Sequence, residues 1–181
     1  MKIWIILIST WIAAIAANAH ALTLKDQQAK DLALKCVFDD KPCREVGDSG
    51  LGTWRRMHKA VVPNATPTCD FPTDLKSPKI IMDDAFVKDR MEHNVSLTGS
   101  LEQISEGIIN ACLNGETAKK MIASKIKTIR LALANPPPKQ DPQMGPIPVV
   151  TMKNGELVIA FYLGSQDVAN TVSYFLLNKM E

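Results

Sequence analysis

Residues 100–134, SLEQISEGIINACLNGETAKKMIASKIKTIRLALA, are the longest run of helical character in the chain, and the way they divide sets the fold. Ser100 followed by Gln103 has the form of a capping box, in which a hydroxyl accepts from an early backbone amide and the side chain three positions on reaches back. Leu101, Ile104, Ile108 and Cys112 follow at spacings of three and four and share one face. Asn114–Gly115 supplies residue types that end or kink a helix, so a first segment is expected over Leu101–Leu113. The pattern resumes at Glu116. At about 100° per residue, Ala118, Ile122, Ile126, Ile129 and Leu133 fall in one arc, with Lys119, Lys120, Lys127 and Arg130 on a neighbouring one. Pro136–Pro138 stop it, because proline lacks the donor and clashes with the preceding turn. The stretch is therefore expected to be two helical segments, the second apolar on one side and basic on another.

Outward from this centre, the N-terminus has the parts of a secretory signal peptide: Lys2, an apolar run from Ile3 to Ala17, then Ala19-His20-Ala21. The run of 15 residues falls short of the roughly 20 that span a bilayer. Cleavage is expected after Ala21 or Ala19, which places the protein in the periplasm or outside the cell and restricts membrane contact to the segment before cleavage. Removal of residues 1–21 takes away only Lys2, so a formal net charge of +2 becomes +1 over 160 residues. That balance argues against a dedicated nucleic-acid binder. The remaining length is enough for one domain with its own core.

Four cysteines, Cys36, Cys43, Cys69 and Cys112, lie in the mature part, and an even count in an exported chain favours two disulfides. Cys36 with Cys43 flanks a short loop, leaving Cys69 to tie an irregular segment to Cys112. The pairing of 36 with 69 and 43 with 112 fits nearly as well. A zinc site is disfavoured by the absence of a C-x-x-C pair and because only His58 and His93 are retained whichever cleavage occurs. No cofactor is indicated.

Along the mature chain, Thr23 can cap a helix with Ala29, Leu32, Ala33, Cys36 and Val37 on one face. Residues 39–53 read as loop, and Thr53 as the cap of a short helix with Trp54, Met57, Val61 and Val62 inward and Pro63 at its end. Residues 63–78 read as an irregular connection. Ser77–Pro78 reads as cap and first turn of a helix through Glu92, with Ile81, Ala85 and Phe86 buried. Six prolines in residues 136–148 make a stiff connector. Beyond it Val149–Lys153 and Glu156–Leu163 flank Asn154–Gly155, the dipeptide suited to a type I′ hairpin turn. The second strand is apolar on both faces, so it should be covered on both sides or extend a sheet made with a partner. Gly164–Ser165 reads as the cap of a final helix packing Val168, Val172 and Phe175 on the hairpin. The expected fold is α+β, a mainly helical disulfide-linked domain with a C-terminal β-hairpin and closing helix. Its parts are a signal peptide (1–21), a helical region (22–135), the connector (136–148) and a ββα unit (149–181) packed on the helical region.

Three stretches carry candidate chemistry. Gly47-Asp48-Ser49-Gly50 matches the tetrapeptide around the nucleophile of chymotrypsin-like proteases, but the mature residues before Ser49 are few and helical and the two histidines retained under either cleavage come later, so it reads as a turn. Asp83, Asp84, Asp89, Glu92 and His93 form an acidic cluster in which Asp89 and His93 are one helical turn apart. Such a pair can orient a general base, the basis for an alternative reading as a small envelope hydrolase. Trp54, Arg55, Arg56 and Lys59, with His58, place an aromatic among cations, and together with Lys119, Lys120, Lys127 and Arg130 they are the candidate surface for an acidic partner. The preferred functional expectation is a non-enzymatic exported binding protein: an inhibitor, an immunity protein, or an accessory subunit of an envelope secretion or conjugation system. Its partner would be another exported or envelope protein.

Overall fold

The structure, a computed structural model, describes residues 21–39, 41–44, 52–58, 68–72, 75–134 and 146–180. In chain order the elements are α1 (Leu24–Cys36), α2 (Lys41–Arg44), α3 (Gly52–His58), β1 (Lys79–Met82), α4 (Asp84–Glu92), α5 (Leu97–Cys112), α6 (Glu116–Lys125), β2 (Thr128–Leu133), β3 (Val149–Lys153), β4 (Glu156–Phe161) and α7 (Val168–Asn178). They form a mainly helical α+β domain with two disulfides, a C-terminal hairpin and a closing helix. The predicted signal peptide, save Ala21, the Gly47–Gly50 turn, Val61–Pro63 and most of the proline connector lie outside the described residues. Among those described, no helix is long and apolar enough to cross a membrane.

The centre is α5, buried on nearly every side: Leu101, Ile104, Ile108 and Cys112 are fully buried, and small Ser100, Ser105 and Gly107 admit neighbours. It packs against α7, α3, α6 and α1. It begins a turn earlier than the Ser100 capping box predicts. Ser96 is the cap, its hydroxyl accepting from the Gly99 amide at 3.0 Å, while the buried Ser100 hydroxyl donates back to the Ser96 carbonyl. Ser96 escaped notice because its third residue on is Gly99, which cannot complete a capping box.

The second half of the opening stretch is not one helix. After the break at Gly115 (φ 114°), α6 ends at Lys125 and residues 128–133 are strand β2. Ile129, Leu131 and Leu133 alternate with Thr128, Arg130 and Ala132, and this period of two shares Ile129 and Leu133 with the helical arc that ends at Leu133. The β-branched Ile126, Thr128 and Ile129 favour the strand. A similar correction applies at Ser77–Pro78: Lys79–Met82 is β1, and the helix starts at Asp84 behind Asp83. Phe86 is buried as expected, but Ile81 points to the outer sheet face and Ala85 is exposed.

The sheet runs β1-β2-β4-β3, with β1, β2 and β4 parallel and β3 antiparallel at the edge. Asn154 (φ 52°) and Gly155 (φ 80°) make the predicted tight turn. Strand β4 takes its second neighbour, β2, from the same chain rather than from a partner. Its Leu157, Ile159 and Phe161 face the helices and are buried, whereas Val158 and Ala160 on the other face are only half-buried. Helix α4 lies on β2, and Phe86 meets Phe161 with ring centroids 5.1 Å apart. The closing helix starts at Val168 behind Asp167 (φ 51°), not at Gly164–Ser165, whose hydroxyl instead bonds the Tyr162 backbone. It packs chiefly on α5 and only secondarily on the hairpin, with Val172 and Leu176 buried and Phe175 partly so.

The disulfides are Cys36–Cys43 and Cys69–Cys112, the preferred one of the three pairings that four cysteines leave open. The first joins α1 to the short α2, which lies within the segment read as loop. The second joins the irregular segment after α3 to the end of α5. Thr23 caps α1 as expected, and Asp26 adds the reciprocal bond that makes it a capping box.

Candidate functional site

The parallel register sets Lys79 beside Thr128 and Thr128 beside Glu156, and the antiparallel register sets Glu156 beside Lys153. All four strands therefore meet at one end of the sheet, where α6 also delivers Lys125 and the link into β2 delivers Lys127. Backbone bonds close this end: the Lys79 amide donates to the Lys127 carbonyl at 2.9 Å, and the Lys127 amide donates to the Gly155 carbonyl at 2.8 Å. Lys79, Lys127 and Lys153 are exposed and Lys125 is half-exposed. None of the four has an ion-pair partner among the described residues, while the one carboxylate in the row, Glu156, is held by Arg130 at 2.9 Å. The result is a local excess of positive charge in a protein of near-neutral balance.

The predicted basic surface is rearranged accordingly. Lys119 and Lys120 remain on α6, with Lys119 paired to Glu116 at 2.8 Å. Lys127 belongs to the sheet end. Arg130 lies on the outer sheet face, its guanidinium bridging Asp83 at 2.6 Å and Glu156 at 2.9 Å, and these two bonds, the Asp83 one first, hold its pKa above the ordinary value. The four cations do not line one helix, because the helix ends at Lys125. Around Trp54 the correction is larger. Trp54 and His58 are fully buried, and the His58 Nδ1–H donates to the Pro72 carbonyl at 2.6 Å. Arg55 donates to the Cys36 carbonyl at 2.8 Å, so it serves as a brace between α3 and α1, leaving Arg56 exposed. Lys59 lies outside the described residues. Trp54 is thus a core residue and offers no ring to a partner.

The acidic cluster is divided along α4. Asp83 is bonded to Arg130, Asp84 to Lys30 at 2.8 Å, and Glu92 approaches Lys88 at 3.9 Å. Asp83 and Glu92 stand at opposite ends of the helix, about 13 Å apart at 1.5 Å rise per residue. The His93 Nδ1–H donates to the Asp89 backbone carbonyl at 2.8 Å, with the carboxylate oxygen farther off at 3.6 Å. The imidazole therefore caps the helix end more closely than it engages the carboxylate. Among the described residues no three His, Cys, Asp or Glu side chains are placed to hold a metal ion.

Sequence reading found Lys127 but missed Lys79, Lys125 and Lys153 as its neighbours. Lys79 and Lys153 stand at strand ends and Lys125 at the end of α6, each directly before Ile80, Asn154 and Ile126 respectively; they become a cluster only once the strand register is known. In comparisons with protein-family models, curated proteins and solved structures, nothing matches this chain.

Proposed function

We propose that the chain is an exported, non-enzymatic binding protein that docks its lysine-bearing sheet end onto an acidic surface of another exported or envelope protein. The observation that carries this reading is the convergence of Lys79, Lys125, Lys127 and Lys153 without neutralising carboxylates among the described residues. Clustered charge of one sign steers association and sets its salt dependence more than its contact energy. The signal-like N-terminus and the two disulfides support an oxidising compartment. An inhibitor, an immunity protein and an accessory subunit of a secretion or conjugation assembly all share this mode of action.

The test is capture from the native envelope fraction with the mature chain, beside a variant carrying Lys79→Glu, Lys127→Glu and Lys153→Glu. These side chains are exposed, so the variant should fold. The expected result is a partner that the parent retains at roughly 50 mM salt, loses at roughly 500 mM, and that the variant does not retain at either. Equal capture by both proteins, or capture indifferent to salt, rules the reading out.

A further inference from the structure

Arg90, near the end of α4, is the only buried arginine among the described residues, with 4% of its surface exposed. Its guanidinium lies over two rings, 5.2 Å from the Phe86 centroid and 4.8 Å from that of Phe161. Of its five N–H donors, one is used: Nη2 donates to the Tyr162 carbonyl at 3.3 Å. Nε stands 3.9 Å from Asp89 Oδ2, too far for a hydrogen bond, and both atoms are buried without a partner among the described residues. Burial lowers the Arg90 pKa and Asp89 restores only part of that, so the cation is under-compensated where it sits. Packing between two phenylalanines does not require a charge; an apolar side chain of similar volume fills such a place without the desolvation penalty.

The same arginine lines a cleft of ≈ 290 Å³ with Ser96, Gly99, Ser100, Gln103 and Ser165. Four of these belong to the cap and first two turns of α5, a 16-residue helix whose N-terminal end carries partial positive charge. A buried arginine with an unpartnered Nε and the N-terminal end of a helix thus line one small, solvent-open space. We propose that this cleft binds a small carboxylate, seated against Arg90 and the start of α5. The planar, two-oxygen group matches the guanidinium fork. The Asp89 carboxylate beside Nε favours a singly charged head over a phosphate dianion, and the cleft has room for a few-carbon acid. The inference is independent of the lysine end, which lies on other elements.

The experiment is an amide and arginine-side-chain NMR titration of the mature chain with sodium acetate, sodium succinate, sodium phosphate and, at matched ionic strength, sodium chloride. Saturable shifts at the Arg90 Nε–H and the Gly99, Gln103 and Ser165 amides are expected with a carboxylate and not with chloride. Arg90→Met should abolish them. Should that variant fail to fold, the exposed rim position offers Gln103→Glu, which adds a negative charge at the cleft mouth and should weaken binding at least roughly tenfold. The Lys79, Lys127 and Lys153 reversals should leave the titration unchanged. No saturable shift with either carboxylate up to about 50 mM, tighter binding of phosphate than of carboxylate, or a Gln103→Glu titration equal to the parent's overturns the proposal.

Discussion

Gly107 of α5 lies against the backbone of Ala169 in α7 so closely that a methyl group on Gly107 would stand 2.5 Å from the Ala169 carbonyl oxygen and 2.8 Å from the Val172 Cβ. The clash is with backbone, which no rotamer change relieves, so the two helices would have to part. Gly107→Ala raises helix propensity by about 1 kcal/mol, but overpacking a close crossing costs about 1–3 kcal/mol. Net destabilisation is expected, visible as a lower urea midpoint with unchanged slope. A midpoint equal to or above the parent's would show that α7 does not pack on α5 as described.

The two disulfides should differ in weight. Cys36–Cys43 closes a sequence separation of 7 and Cys69–Cys112 one of 43. Loop-closure entropy gives about 2.4 kcal/mol for the first and about 4 kcal/mol for the second. Chemical denaturation of Cys36→Ala/Cys43→Ala and Cys69→Ala/Cys112→Ala should therefore show the larger loss for the second pair, which also removes a buried contact at the end of α5. Equal losses would mean that the unfolded chain is already compact around that loop.

Glu116, at the start of α6, has its pKa lowered from the ordinary 4.5, first by the hydrogen bond from Lys119 and then by the charge of that lysine. A carboxylate with a depressed folded pKa contributes stability that is complete above its unfolded pKa and disappears as pH falls through the folded value. The window is thus acidic, from the ordinary glutamate range downward. A carboxyl-detected NMR titration should place Glu116 below 4.5, and Lys119→Met should return it towards that value. An unmoved titration in the variant assigns the shift to the helix terminus instead.

The parts of the fold set by short-range chemistry were readable from residue types. Thr23 as a cap, Asn154–Gly155 as a hairpin turn and Asn114–Gly115 as a helix end are residue types suited to one local conformation, and each formed where expected. What escaped was the identity of two strands. In Lys79–Met82 the run is too short to show a period, and in Thr128–Leu133 periods of two and 3.6 select overlapping residues. Parallel pairing settles both, and it joins residues about 50 positions apart (Ile80 with Ile129), information that no local window holds. Arg90 and the lysine cluster were illegible for the same reason: Arg90 differs from the other charges of α4 only because Phe161 packs against it, and the lysines acquire neighbours only through strand register.

Gly155 joins the hairpin to the lysine end and so tests both. Its φ of +80° suits glycine, and a methyl group there would meet the Lys127 Cγ at 3.1 Å and the Lys125 carbonyl oxygen at 3.3 Å. Gly164 has a similar φ of +72° but open space around it. Alanine at Gly164 therefore carries only the left-handed backbone penalty, about 1–2 kcal/mol, whereas alanine at Gly155 adds displacement of the Lys127 stem and strain on the bond from the Lys127 amide to the Gly155 carbonyl. Thermal unfolding should rank Gly155→Ala below Gly164→Ala. Hydrogen exchange at the Lys127 and Thr128 amides, both of which donate to the Gly155 carbonyl, should quicken in the first variant alone. Equal exchange in the two variants would detach the hairpin turn from the start of β2, and with it the arrangement that gathers the lysines.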